Sequence, residues 1–289
     1  MTAPFNPSAG DPRCLNCGEA LRGAFCAACG QRSVPANPTV TELAGDAWHE
    51  LSGYDGRIAS TFRGLLHPGK LTIEYLQGRR ATYLPPVRLY LIASVLYFVI
   101  AAAAPESARQ PGQVLGPGGL QIGLTDTDGK PLSPEDREAM RKDVESAPWV
   151  VRPMLRAIVD DPREFRARLF TIMPRVFFGM LPVFAGILAL VYRGRRFPTA
   201  LVFAAHVHAA AFLLFALAAA ARLTGSPIIE AAVGVTAIAV FGVYALMALR
   251  AVFGGSWPKT IAKAVAIGIL YLICAVPAFM VILIWASLV

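Results

Sequence analysis

Four of the chain's five cysteines fall in one short run, as Cys14-Leu-Asn-Cys17 and Cys26-Ala-Ala-Cys29. Each C-x-x-C pair can form a tight turn that aims two thiolates at one point. Gly18 and Gly30 follow the pairs and permit the bend that lets backbone amides reach the sulfurs. Two such turns supply the tetrahedral sulfur shell that zinc accepts, and four protein ligands close it. Eight residues separate the pairs, enough for a hairpin with Leu21 and Phe25 as a minimal core. Disulfides or a redox pair are the competing readings. A cytoplasmic setting disfavours stable disulfides, and no strand–helix pattern around either pair supports a thioredoxin-type site. Structural Zn2+ on Cys14, Cys17, Cys26 and Cys29 is therefore the expectation, because so small a segment cannot fold on apolar burial alone. Cys274 stands alone in an apolar stretch and reads as a small hydrophobe.

A second group of candidates lies among apolar residues. Intramembrane ionisable side chains are costly and raise a functional question by default. His206 and His208 sit well inside an apolar stretch, while Arg88 and Arg175 lie close enough to span ends to snorkel. Residues two apart point about 200° away from each other around a helix, so the histidines do not easily share one metal. A structural role, satisfying a polar group on another helix, is favoured over a ligand, proton or substrate role. His49 and His67 read as surface or capping residues.

These residues must be positioned by a membrane domain. Of 289 residues, 55 % are hydrophobic and 16 % charged, against roughly 25 % charged in an ordinary soluble domain. A bilayer core needs about twenty apolar residues in a helix. Five stretches qualify, at about 86–104, 169–192, 197–221, 228–249 and 264–289. Pro174, Pro182 and Pro277 do not veto their spans, because neighbouring helices can satisfy the freed backbone groups. The expected fold is thus an all-α integral membrane protein with about five transmembrane helices and a small N-terminal four-cysteine zinc ribbon. Its parts are a ribbon at 1–33, an amphipathic helical connector at 34–85 and a transmembrane domain at 86–289, with an extracytoplasmic loop at 105–168.

The net charge of +8 reads as cytoplasmic loops rather than a nucleic-acid footprint. Arg57, Arg63, Lys70, Arg79, Arg80 and Arg88 precede span one. Arg193, Arg195 and Arg196 join spans two and three, and Arg250, Lys259 and Lys263 join spans four and five. The short opposite loop offers only Arg222, although Arg163, Arg166 and Arg168 precede span two. The balance predicts an inside N-terminus and an outside C-terminus in a bacterial cytoplasmic membrane. The first thirty residues lack an apolar signal region, so span one is expected to target the protein to the membrane.

Between ribbon and spans, Thr39 and Glu42 form a capping-box pattern, and Val40, Leu43, Ala44, Ala47, Trp48 and Leu51 recur at helical spacing. Ile58, Phe62, Leu65 and Leu66 continue it, then His67-Pro-Gly69 interrupts, and Leu71, Ile73, Tyr75 and Leu76 follow. Such stripes beside basic residues suit helices on the inner membrane surface, or helices packed against the cytoplasmic ends of the spans. In the outer loop, 105–133 reads as a Gly- and Pro-rich linker. Ser133-Pro-Glu-Asp136 then starts a helix.

CLNCGEALRGAFCAACGQR, HPGKLTIEYLQGRRATYLPPVRLYLIASVLYF, VFAAHVHAAAFLLF and ALRAVFGGSWPKT occur in that order. In this combination the sequence resembles a bacterial membrane family known as the domain of unknown function 3667. The resemblance implies a zinc-ribbon membrane protein and carries over no catalytic residues.

No stretch combines nucleophile, base and orienter. The expected function is a non-enzymatic, membrane-anchored interaction or assembly module. Its ribbon is expected to meet a cytoplasmic protein partner, and its spans the lipid bilayer. Arg13, Arg22 and Arg32 are diluted by Asp11 and Glu19, which favours protein over nucleic acid. The alternative is a small transporter or membrane-embedded enzyme for a lipid or small molecule, using Arg88, Arg175, His206 and His208.

Overall fold

The structure is a computed structural model that describes residues 13–33, 39, 57–103, 113–115, 121–123 and 133–288. Glu42 of the expected capping box, the helical run over 40–51, His49 and most of the 105–133 linker lie outside the described residues.

Among the described residues, five helices are long and apolar enough to cross a membrane, which makes this a multi-pass membrane protein. In sequence order the elements are α1 (Ile58–Leu65), α2 (Lys70–Leu76), α3 (Pro86–Ala103), β1 (Gln113–Leu115), β2 (Gln121–Gly123), α4 (Pro134–Ser146), α5 (Arg152–Asp160), α6 (Pro162–Val191), α7 (Phe197–Ala221), α8 (Pro227–Phe253) and α9 (Trp257–Leu288). The spanning helices are α3, α6, α7, α8 and α9. β1 and β2 pair antiparallel with Val114 opposite Ile122, a short hairpin inside the stretch expected to be linker.

The fifth spanning helix starts seven residues ahead of its apolar core. Thr260 N–H already donates to Ser256 C=O at 3.0 Å, and Pro258 suits a first turn, where its missing N–H costs nothing. Lys263, read from sequence as loop, is helical and lays its ammonium 4.1 Å from the centre of the Tyr192 ring.

The protein forms two compact units, and each spanning helix contributes to both. The first contains the ribbon, α1, α2, the start of α3, the end of α6, the first part of α7, the end of α8 and the start of α9. Here α2 turns Leu71, Thr72 and Tyr75 inward, and Tyr75 packs on Leu201 and Val202 of α7. Gly69, ahead of α2, lies against Ala248 and Ala251 of α8. Of the two placements open for the connector, packing against the spans is the one α2 adopts. α1 buries Thr61, Gly64 and Leu65 and leaves Ile58, Phe62 and Leu66 exposed. Thr61 Oγ1 donates to Arg57 C=O and accepts from Leu84 N–H at 2.8 Å, and Ser60 Oγ donates to Thr82 C=O. The connector is therefore bolted to the segment that leads into α3. Ala200, Ala204, Ala205 and Ala209 of α7 are buried, and such small side chains let neighbouring elements approach closely.

The second unit holds the β-hairpin, α4, α5 and the remaining parts of the spans. α4 and α5 are tied by Arg141–Asp160 and Arg156–Glu145 ion pairs, both at 2.6 Å. These pairs are exposed and worth at most about 1 kcal/mol each. Arg222 meets Glu230 at 2.8 Å across the turn from α7 to α8, so the two ionisable groups at that short turn neutralise one another.

Candidate metal centre and its docking

The ribbon is built from one device used twice. In the first turn Gly18 N–H donates to Cys14 C=O and Cys14 N–H to Glu19 C=O; in the second Gly30 N–H donates to Cys26 C=O and Cys26 N–H to Gln31 C=O. Isolated bridges Arg13–Ala20 and Phe25–Arg32 flank the two turns in equivalent places. Gly18 and Gly30 both have left-handed backbones, φ 80° and 71°, as the sequence required of them.

This repetition brings the four sulfurs together. Cys14 Sγ lies 3.6 Å from Cys29 Sγ, Cys17 Sγ lies 3.5 Å from Cys26 Sγ, and all four fall within 4.8 Å of one another. A tetrahedral metal with M–S bonds of about 2.3 Å needs sulfur–sulfur separations of roughly 3.8 Å, so the set fits such an ion. All four cysteines are free thiols, and Cys14, Leu21 and Cys26 form the ribbon's small core with Cys29 against it. Phe25, expected in that core, is instead 64 % exposed.

The thiols are unequal. Backbone N–H groups of Cys29 and then Ala28 stabilise the Cys26 thiolate and bring its pKa down to about 7 against partial desolvation. At Cys17 the Glu19 amide pulls the same way, but desolvation and the neighbouring sulfurs Cys26, Cys29 and Cys14 prevail and push it up to about 12. One thiolate is thus ready at neutral pH, and another loses its proton only to an incoming cation.

The ribbon is docked on the turn between α2 and α3 through a residue that sequence reasoning passed over. Gln31, only 7 % exposed, donates from Nε2 to Gly78 C=O at 2.7 Å. Its Oε1 accepts from the N–H groups of Arg80 and Ala81, both at 3.0 Å. Thr82 Oγ1 donates to Asn16 Oδ1 at 2.9 Å, and Leu15 rests on Gly78. The Arg80 guanidinium lies 4.8 Å over the Tyr75 ring, and Arg79 pairs with Glu74. The Glu74 carboxylate raises the Arg79 pKa, first by its hydrogen bond and then by its charge, against slight desolvation.

The intramembrane candidates have separate surroundings. His206, 5 % exposed, joins Nδ1 to Thr72 Oγ1 of α2 at 3.0 Å. His208 donates from Nδ1 to Ala204 C=O at 2.8 Å, one turn back on its own helix, and its ring meets Phe184 edge-on with Tyr90 beyond. Arg88 is half-buried in the first turn of α3, while Arg175 is exposed on α6 and belongs to the second unit. The structure brings the four cysteines to one point and gives the two histidines different partners. Thr72 was missed from sequence, although a threonine on the buried stripe of an amphipathic helix is a signal that some polar group awaits it.

Thr72→Val is expected to leave His206 Nδ1 buried without its partner and to destabilise the protein by about 1–3 kcal/mol. Thermal unfolding in detergent checks this. The double variant with His206→Leu should lose less than the two single losses combined, because it removes both halves of the pair. Strict additivity would show that the two side chains do not interact.

No curated protein and no solved structure matches this sequence. The fragment running from just ahead of α1, within the connector, through most of α3 does match a family, in agreement with the resemblance read from HPGKLTIEYLQGRRATYLPPVRLYLIASVLYF. That family is described as "Protein of unknown function (DUF3667)", and residues 55–98 are the part of this protein that matches it.

Proposed function

We propose that this protein is a non-enzymatic, membrane-anchored interaction module of a bacterial cytoplasmic membrane, whose structural zinc ribbon meets a cytoplasmic protein partner. The observation that carries the reading is the convergence of Cys14, Cys17, Cys26 and Cys29 within 4.8 Å. Four thiolates complete a zinc ion's tetrahedral shell and leave no open position for substrate. Zinc takes a tetrahedral shell of four thiolates without any further geometric demand. Around the site Phe25, Arg13, Arg22 and Arg32 are exposed beside Glu19, a mixed apolar and charged surface that suits protein contact.

The ribbon, the Arg193–Arg196 loop and the Arg250–Lys263 segment all belong to the same compact unit. Placing that unit inside satisfies the basic-loop rule, with the N-terminus inside and the C-terminus outside. The transporter or enzyme alternative draws on His206, His208, Arg88 and Arg175. The different partners of the two histidines favour the module over it.

The test is purification from native membranes beside the Cys14→Ser, Cys17→Ser variant, with metal, co-purifying proteins and bound lipids quantified by mass spectrometry. A partner lost together with zinc supports the module. A small molecule or lipid retained in both samples, with no partner in either, supports the membrane-site alternative.

Zinc affinity is expected to fall as the pH drops, since ligands must be thiolates and binding expels their protons. Between about pH 7 and 12 the Cys17 proton alone among these two is displaced. Below about 7 the Cys26 proton must leave as well, so the loss of affinity per pH unit steepens there. Competition with a chromophoric chelator across pH 6 to 9, a window chosen to bracket about 7, measures the break. An affinity that ignores pH would exclude thiolate ligation.

A further inference from the structure

Gln31 holds two parts of the molecule at once. Its backbone carbonyl accepts the Cys26 N–H at 2.8 Å and so closes the second cysteine turn. Its side chain makes three hydrogen bonds to the turn at Gly78, Arg80 and Ala81. That turn follows directly on α2, whose Thr72 reaches His206 inside α7, and Thr82 and Leu84 beyond it are bonded to Ser60 and Thr61 of α1. Every residue in this series of contacts lies in one compact unit.

The clasp exists only while the second cysteine turn is formed. Gln31 can direct both ends of its amide at the Gly78–Ala81 backbone because its own backbone is fixed by the bonds around Cys26. A ribbon of this size, with Leu21 as its one buried aliphatic residue among the described residues, has too little apolar burial to keep that turn without a metal. Without it, the Ala81 N–H loses the side-chain acceptor given to it here, and the Gly78 C=O loses its amide donor.

We propose that the ribbon is a metal-dependent latch on the juxtamembrane turn: metal in the four-cysteine site holds Gln31 on Gly78, Arg80 and Ala81, and its loss frees the α1–α2 connector from the ribbon. The metal state of the compartment is thereby passed to an element packed on α7. This rests on the metal-site reading above and adds what the site controls.

Hydrogen–deuterium exchange on the full-length protein in lipid nanodiscs tests it. Three samples are compared: metal-loaded protein, the same protein after chelation with loss of metal verified by elemental analysis, and metal-loaded Gln31→Ala. Chelation and Gln31→Ala should each speed exchange over residues 78–82 by about tenfold or more, the size expected when a local cluster of hydrogen bonds opens. Gln31→Ala should do so with its metal content unchanged, since no ligand is altered. Unaltered exchange over 78–82 after verified metal loss, or in Gln31→Ala, overturns the latch while the metal site stands. A protein that takes up no metal overturns the zinc reading and the metal dependence with it. Faster exchange in Gln31→Ala would then establish only a permanent clasp.

Discussion

Cys14→Ser combined with Cys17→Ser is expected to abolish metal binding and unfold the ribbon while the spans still insert. A structural four-ligand zinc site contributes on the order of 10–16 kcal/mol of apparent binding energy at neutral pH. Against this, burying one leucine such as Leu21 is worth only about 2 kcal/mol. The ion therefore supplies most of the ribbon's folding energy. Insertion is spared because it depends on the apolar content of α3, α6, α7, α8 and α9, to which neither cysteine contributes. Elemental analysis should find close to no bound metal in the variant, and limited proteolysis should cut within 13–33 while the membrane core resists. A variant that keeps a full equivalent of metal would rule out the four-sulfur site.

Gly78→Val is expected to release the ribbon from the turn although it touches no ligand. Gly78 has φ 87°, a backbone that costs an L residue about 1–2 kcal/mol and a β-branched one more. A Cβ there would stand 2.5 Å from Leu15 Cδ1 and 3.0 Å from Leu15 Cβ. The first contact can be relieved by rotating Leu15; the second requires the ribbon itself to move. Strain and overlap together make a loss of roughly 2–4 kcal/mol, comparable to the whole Gln31 clasp. Gly23→Ala is the control: nothing lies within 4 Å of its Cβ position and its backbone is ordinary, so it should stay within about 0.5 kcal/mol of the parent. Metal content should be normal in both, with the ribbon–turn junction newly open to protease only in Gly78→Val. Equal resistance in the two variants would mean the ribbon is not seated on Gly78.

The five spanning helices were legible because crossing a bilayer is a demand on composition and length, which a sequence displays directly. The cysteine set was legible because two C-x-x-C turns place four sulfurs by local geometry alone. What could not be read are contacts made by single polar side chains across long separations. Gln31 and Gly78 are 47 residues apart, and Thr72 and His206 are 134 apart; no periodicity ties one to the other. Phe25 was misjudged for a related reason. In a ribbon whose centre is filled by sulfur, Leu21 uses the little room beneath it and the phenyl ring is left outside. In the described part of the connector, α2 buries Leu71 and Tyr75 while α1 leaves Ile58, Phe62 and Leu66 exposed; a stripe does not say what covers it.

The twofold pattern of the ribbon poses a problem of degeneracy. Two turns with the same hydrogen bonds and the same left-handed glycines present nearly interchangeable faces, so the small module has two ways round in which to sit on Gly78. The residue after each of these glycines breaks the tie. In the second turn it is Gln31; in the first it is Glu19, which remains exposed. An amide can donate to the Gly78 carbonyl and accept from the amides beyond it. A carboxylate in the same place has only acceptors, and would set negative charge against a carbonyl oxygen. A single nitrogen in place of an oxygen therefore selects one polarity of attachment by making the other unfavourable, and decides which cysteine turn brings its post-glycine side chain to the Gly78–Ala81 backbone.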